Sequence, residues 1–229
     1  GSNSAGVYLT GIRTAPGTSG SDVEEYNNSI STITAAAWAS SGNLNSARRD
    51  IAGFGVQTAA VAAGGRTGNS GPFPQSNASE EYNGSSWTTG NNTGTTAGSR
   101  GGAGSLTAGL VCGGEASPHA QSEEYDGTSY SEGNDLNVGR YGNRATFGTQ
   151  TAAVTAGGYA PSTSVREDAT EEYDGTSWTN ATNMPAGRYA PGGFGILTAG
   201  VVCGGDNAAG TASLATSLEY DGTNWTSGG

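Results

Sequence analysis

Lysine is absent, histidine occurs once, at His119, and cysteine twice, at Cys112 and Cys203. Without lysine there is no Schiff-base or P-loop chemistry. One histidine and two cysteines cannot furnish a four-ligand Cys/His zinc site. The two cysteines share a Val-Cys-Gly-Gly context in repeats that are not neighbours, so they are poorly placed to bond and are expected to be buried free thiols. No run of about 18 apolar residues exists to span a membrane as a helix. The N-terminus carries no charged-then-apolar leader. All nine basic residues are arginine and the net charge is −11, which repels phosphate backbones and makes nucleic acid an unsuitable partner. Only 33% of residues are hydrophobic, whereas 41 are glycine. Order in such a chain has to come from periodicity.

That periodicity is present. An acidic-acidic-Tyr triplet recurs as Glu24-Glu25-Tyr26, Glu80-Glu81-Tyr82, Glu123-Glu124-Tyr125 and Glu171-Glu172-Tyr173, with Leu218-Glu219-Tyr220 a degenerate fifth copy. An aromatic follows each triplet: Trp38, Trp87, Tyr130, Trp178 and Trp225. It lies five residues after the Tyr in the last four copies. The first copy carries an insertion around residues 29–35. Before each of the last four triplets stands an apolar run ending in Gly-Gly (Gly64-Gly65, Gly113-Gly114, Gly157-Gly158, Gly204-Gly205). The first copy has Gly11-Ile12 instead. An arginine opens a Gly-rich stretch at Arg48, Arg100, Arg140 and Arg188.

Each unit reads as four short strands: a near the Arg, b the apolar run, c the Glu-Glu-Tyr, d the aromatic. Asn83-Gly84, Asp126-Gly127, Asp174-Gly175 and Asp221-Gly222 fall between c and d and predict type I′ hairpins. A four-stranded unit of roughly 45 residues is a propeller blade, which buries its faces only against neighbours. The expectation is an all-β, five-bladed β-propeller of four-stranded antiparallel blades, with the first blade lacking its inner strand. One domain spans 1–229, with blades near 3–40, 47–90, 99–133, 139–181 and 187–229. Three ways of closing the seam stay open: a three-stranded first blade, a longer parent array, or a strand lent by a second copy.

The double glycine, Tyr and Trp resemble the kelch repeat, through Gly64-Gly65 with Tyr82 and Trp87, Gly113-Gly114 with Tyr125, Gly157-Gly158 with Tyr173 and Trp178, and Gly204-Gly205 with Tyr220 and Trp225. The wording of the repeats is also similar to arrays in structural proteins of marine phages and environmental bacteria. That resemblance implies a virion-surface or extracellular location. Copper radical oxidases on kelch propellers need two His, and this chain has one. The Asp box of sialidase propellers separates Asp and Gly by one residue, whereas Asp174 and Gly175 are adjacent. A glycosidase needs two carboxylates about 5–9.5 Å apart, but the acids here recur with the repeat. Recurrence reads as architecture: Glu25, Glu81, Glu124, Glu172 and Glu219 with Tyr26, Tyr82, Tyr125, Tyr173 and Tyr220, and the Trp series.

Since neighbouring strand residues face opposite ways, one Glu of each pair faces an adjacent blade, and an inter-blade Glu–Arg or Glu–backbone lattice is expected. The competing reading puts Arg48, Arg100, Arg140 and Arg188 in a ring at the axial mouth, holding a carboxylate or sulfated sugar. The b–c loops are the longest, and they supply Arg66, His119, Tyr159 and Arg166 as candidate ligand-binding residues. Asn77 and Asn180 open chance sequons, and Asp168 or Asp206 is available to a loop Ca²⁺ site that nothing demands. No metal or cofactor is implied. The function read from the sequence is a non-enzymatic structural or receptor-binding module of a phage or bacterial surface protein. A lectin-like propeller is the alternative and a glycan hydrolase the second alternative. Its partner would be a surface glycan or protein at the loop face, with the chain a monomer or part of a larger assembly.

Overall fold

The computed structural model describes residues Gly6–Leu9, Val23–Tyr26, 41–68 and 73–229. The chain divides into two units, Gly1–Ser40 and Ser41–Gly229. Within the first, Gly6–Leu9 pairs antiparallel with Val23–Tyr26, Gly6 opposite Tyr26. These are strands b and c of the first repeat, and Glu25 and Tyr26 lie on the second of them. Trp38 falls outside the described residues.

The second unit is a propeller arrangement of four antiparallel sheets, each of four strands in the order a-b-c-d. Repeat two supplies Ala52–Val56, Ala59–Ala63, Ser79–Tyr82 and Trp87–Thr89. Repeat three supplies Gly101–Ser105, Ala108–Cys112, Ser122–Tyr125 and Tyr130–Glu132. Repeat four supplies Ala145–Thr149, Ala152–Ala156, Thr170–Tyr173 and Trp178–Asn180. Repeat five supplies Gly192–Ile196, Ala199–Cys203, Ser217–Tyr220 and Trp225–Ser227. No described element is a helix, and none is long and apolar enough to cross a membrane as one.

The blade count is therefore four among the described residues, not the expected five. In repeat one only strands b and c pair among the described residues, and its triplet is followed by Asn27-Asn28 where the other repeats have Asn-Gly or Asp-Gly.

Strands a of successive sheets lie against one another. They are glycine-rich because close approach leaves little room, and bulk on one sheet is met by its absence on the next. Phe54 covers Gly109, where an added Cβ would fall 2.1 Å from the ring, and Phe147 covers Gly200 at 2.2 Å. Between them Ala103, small itself, joins a cluster with Ala153, Tyr173 and Trp178. The double glycine ending strand b has φ above zero at both positions, 67° and 112° at Gly113 and Gly114. That conformation costs other residues dearly. It aims the second N–H at the next blade: Gly65 donates to Ala97 O, Gly114 to Arg140 O and Gly158 to Arg188 O, at 2.8–3.0 Å.

The c–d hairpins close differently from the expected type I′ turn. Positive φ is confined to the glycine, 94° at Gly127, where type I′ needs two such residues. The side chain of Asp126 instead accepts the N–H groups of Thr128 and Ser129, each at 2.8 Å, and Asn83, Asp174 and Asp221 do the same. Those two backbone donors hold the carboxyls of Asp126, Asp174 and Asp221 below the usual aspartate range. The cysteines are both free, but only Cys112 is buried, and Cys203 is exposed. Cys112 packs against Thr146 of the following sheet, Sγ to Oγ1 3.9 Å. No described strand a follows the sheet that holds Cys203.

Filling the hollow under a ring is expected to be costly. Gly200→Ala should lower the unfolding free energy by about 1–3 kcal/mol through overpacking against Phe147. A urea titration of Gly200→Ala beside Gly222→Ala, on the c–d turn where φ is 90°, separates crowding from backbone strain. The crowding account requires unfolding of the Gly200 variant to be relieved by Phe147→Leu, and that of the Gly222 variant not to be.

Candidate functional site

In repeats two to four the first glutamate of each pair is tied inside its own blade. Arg48 donates to Glu80 at 2.8 Å, Arg100 to Glu123 at 2.7 Å and Arg140 to Glu171 at 2.6 Å. All six side chains are buried, Arg140 and Glu171 completely. The carboxylates also accept backbone N–H groups from the segment that enters the blade. Glu80 takes Asn45 and Ser46, Glu123 takes Gly94 and Thr95, and Glu171 takes Asn137 and Val138. The guanidinium groups spend further donors on carbonyls: Arg48 on Gly64, Arg100 on Gly113, Arg140 on Ala169. Each buried ion pair is thus hydrogen-bonded on both sides, the condition under which such a pair survives desolvation. Burial pushes the Glu80 carboxyl upward, but the Asn45 and Ser46 N–H groups and Arg48 outweigh it and leave the group below its ordinary value.

Leu218 replaces the first glutamate in the last blade. Arg188 has no carboxylate there and rests on Gly204 O, Thr216 O and the Thr216 hydroxyl, at 2.9–3.1 Å.

In repeats two to four the second glutamate of each pair crosses to the next blade. Tyr125 donates its hydroxyl to Glu81, Tyr173 to Glu124 at 2.6 Å and Tyr220 to Glu172 at 2.5 Å. Burial, then the carboxylate acceptor, raises all three phenol pKa values well above normal. The expected inter-blade Glu–Arg lattice is corrected accordingly: arginine serves within a blade and tyrosine between blades. Strand d adds a second cross-blade bond. The indole N–H of Trp178 donates to Ser122 Oγ at 3.3 Å and that of Trp225 to Thr170 Oγ1 at 3.1 Å. Tyr130, the departure from Trp, bonds Ser79 Oγ through its hydroxyl at 2.9 Å, so it fills the same role with different chemistry.

The arginines proposed for a ring at the mouth, Arg48, Arg100, Arg140 and Arg188, are therefore inside the blades. Nor are they all equivalent. The carbonyls of Arg140 and Arg188 accept the double-glycine N–H of the preceding blade, and in repeat three Ala97 does so. Arg100 reaches the equivalent carboxylate from three residues further along, in the position just before strand a that holds Ile51, Arg144 and Pro191 in the other blades.

The other four described arginines gather at one end of the sheets. There the segment following each buried-arginine slot runs beside the residue that follows Gly-Gly: Arg49 bridges to Arg66, Tyr141 to Tyr159 and Tyr189 to Asp206. In repeat three Glu115 N donates to Gly98 O at 3.1 Å. These two positions per blade form a rim, filled by Arg49, Gly98, Tyr141 and Tyr189 at one and by Arg66, Glu115, Tyr159 and Asp206 at the other. Arg66 Nε donates to Glu115 Oε2 at 2.7 Å, and Ser99 Oγ lies 2.9 Å from Glu115. Asp50 accepts from Arg144 and has Arg49 and Arg66 nitrogens at 3.9 Å. The Arg49 guanidinium stacks 3.8 Å above the Phe73 ring. Tyr141 stands among Tyr159, Tyr189 and His119, with centroids 5.4, 6.1 and 6.0 Å away. Arg166 lies 3.2 Å from Asp206 and 5.2 Å over Tyr189. Burial raises the Tyr141 phenol pKa while nearby Arg66 pulls it down.

The loop candidates Arg66, His119, Tyr159 and Arg166 are all brought to this rim. His119 is anchored through Nδ1 to Gly114 O at 2.9 Å. Sequence reasoning missed Arg49, Asp50, Glu115, Tyr141, Arg144 and Tyr189. Their signal was position: most sit one or two residues beyond a repeated arginine or Gly-Gly and break the repeat. Asp206 is taken by Arg166, and Asp168 accepts from Asn183 at 3.2 Å, so the two suggested Ca²⁺ ligands are separately engaged. Compared with known proteins, the chain matches no family model and no curated protein sequence.

Two expectations follow from the lattice. A carboxylate held below its unfolded pKa stabilises the fold above that value, about 4.3 for Glu, and withdraws the stabilisation as pH falls through the folded value. Melting temperature should therefore drop between pH 5 and pH 3, and an unchanged midpoint at pH 3 contradicts the lattice. Phenols raised above about 10 stabilise below that pH and lose the contribution as it climbs. Absorbance near 295 nm should show Tyr125, Tyr173 and Tyr220 ionising only as the protein unfolds in alkali.

Proposed function

We propose that the chain is a non-enzymatic, kelch-type binding propeller whose recognition surface is the rim, serving as a structural or receptor-binding part of a phage or bacterial surface protein. What supports the reading is a division of labour among the charged side chains. The repeated ones are consumed by architecture: three Arg–Glu pairs within blades and three Tyr–Glu bonds between them. The non-repeated arginines and tyrosines converge on one end, where a rigid scaffold carries segments free to vary in sequence.

Catalysis is a poor use of this inventory. A general acid or base needs a group within reach of a reacting atom, with a pKa tuned to the task. The rim carboxylates Asp50, Glu115 and Asp206 are each held by an arginine instead.

Immobilised glycans and bacterial surface extracts, probed with labelled protein, test the reading. Binding is expected, and Tyr141→Ala and Tyr159→Ala should weaken it at least tenfold while leaving the melting temperature within a few degrees. Retained binding in both variants would remove the rim from the account. Turnover of glycosidase or esterase substrates would overturn the non-enzymatic assignment.

A further inference from the structure

One part of the rim has a local charge sign opposite to that of the molecule: Arg49, Arg66 and Arg144 stand against Asp50 and Glu115. The chain carries −11 overall. Of the eight arginines in the described residues, four are buried and the other four, Arg49, Arg66, Arg144 and Arg166, all belong to the rim. Asp50 and Glu115 stand against the first three, and Asp206 and Glu167 lie beside Arg166. Arg66 is committed to Glu115 through two bonds. Asp50 alone is shared by Arg49, Arg66 and Arg144. The side chains of Arg49 and Arg144 remain 45% and 47% exposed. Two half-exposed arginine side chains thus share one carboxylate with a third.

We propose that this rim binds an acidic saccharide of low charge density, with its carboxylate or sulfate on Arg49 and Arg144 and its sugar ring against Tyr141 and Tyr159. The proposal rests on the binding-propeller reading above and names its ligand class. A planar guanidinium fork suits an oxyanion with two adjacent oxygens. Tyrosine offers an apolar face to the C–H side of a pyranose and a hydroxyl to its edge. Tyr141 and Tyr159 are partly exposed and 5.4 Å apart at 56°, so their rings present two non-parallel walls.

Low charge density follows from magnitudes. At physiological salt the Debye length is about 8 Å. A single anionic group seated at the rim feels the local excess of arginine, with the rest of the molecule screened. A polymer bearing a charge on every residue extends past the rim over a strongly acidic surface and is repelled along its length. The same logic sets this ligand apart from nucleic acid and from heavily sulfated chains.

Titration calorimetry on the full chain tests it with four probes. These are a hyaluronan octasaccharide (one carboxylate per two sugars), its carboxyl-reduced neutral counterpart, a sparsely sulfated galactan oligosaccharide and a heparin octasaccharide. The expected result is binding of the carboxylated probe, the sulfated probe or both; which one binds identifies the anionic group. Affinity should fall at least tenfold for the neutral and heparin probes, and at least threefold between 50 and 300 mM NaCl. The double variant Arg49→Gln/Arg144→Gln should lose at least tenfold in affinity while keeping its melting temperature, since both side chains are half exposed. No binding of either sparse acidic probe at millimolar concentration, equal binding of the neutral one, tightest binding of heparin, or a double variant that binds like the parent each overturns the proposal. Binding of the neutral probe that Tyr141→Ala abolishes sinks the acidic assignment alone and leaves the binding-propeller reading in place.

Discussion

A guanidinium taken out of water is tolerated only where its charge and nearly all its donors are met, and here that demand is met in the same way blade after blade. Arg48, Arg100 and Arg140 each hold a glutamate of strand c from the segment that enters strand a. The same glutamate gathers two N–H groups of that entering segment. One ion pair thereby fixes where the chain crosses into a blade and how strand c sits beneath the crossing. Removing one partner of such a pair leaves a buried charge, at a cost of about 3–5 kcal/mol. With blades this poor in large apolar residues, that is a large share of the roughly 5–15 kcal/mol that keeps a domain folded. The last blade shows the alternative solution. Leu218 fills the space apolarly, and Arg188 turns to carbonyls and the Thr216 hydroxyl.

The strand alternation of the Glu-Glu-Tyr triplet turns one short motif into two kinds of glue. The first glutamate points to its own blade's arginine, and the second to the tyrosine of the next blade. The tyrosine of the same triplet points back to the previous blade. The strands c of repeats three and four therefore bond in both directions around the array. Tyr130 shows that the lattice selects a hydrogen-bonding group at the right reach and not a particular ring, since its hydroxyl meets Ser79 where an indole N–H meets Ser122 or Thr170 elsewhere.

Much of the fold was legible because repetition does the work of an alignment. The triplets, Gly-Gly pairs and Asn-Gly or Asp-Gly turns place every strand b, c and d of repeats two to five, and the glycines mark where neighbouring backbones dock. Three things were not legible. The partner of each arginine depends on which way strand c presents its first glutamate, a matter of sheet geometry and not of spacing. Arg100 looks like its counterparts in sequence, yet it reaches its glutamate from a different slot, because Ala97 holds the usual one. The blade count was overread because repeat one keeps its triplet, yet only its strands b and c pair among the described residues. The rim was half legible. Loop length pointed to Arg66, His119, Tyr159 and Arg166, but the residues facing them sit next to repeated arginines, where the repeat itself draws attention away.

If buried pairing carries the architecture, then the two members of a pair must depend on each other. Chemical unfolding of Arg140→Met, Glu171→Leu and the double variant measures that dependence directly. The account predicts that each single change is strongly destabilising and that the double variant recovers much of the loss, a coupling well beyond about 0.5 kcal/mol. Losses that simply add would mean that Arg140 and Glu171 are buried side by side without holding the blade together.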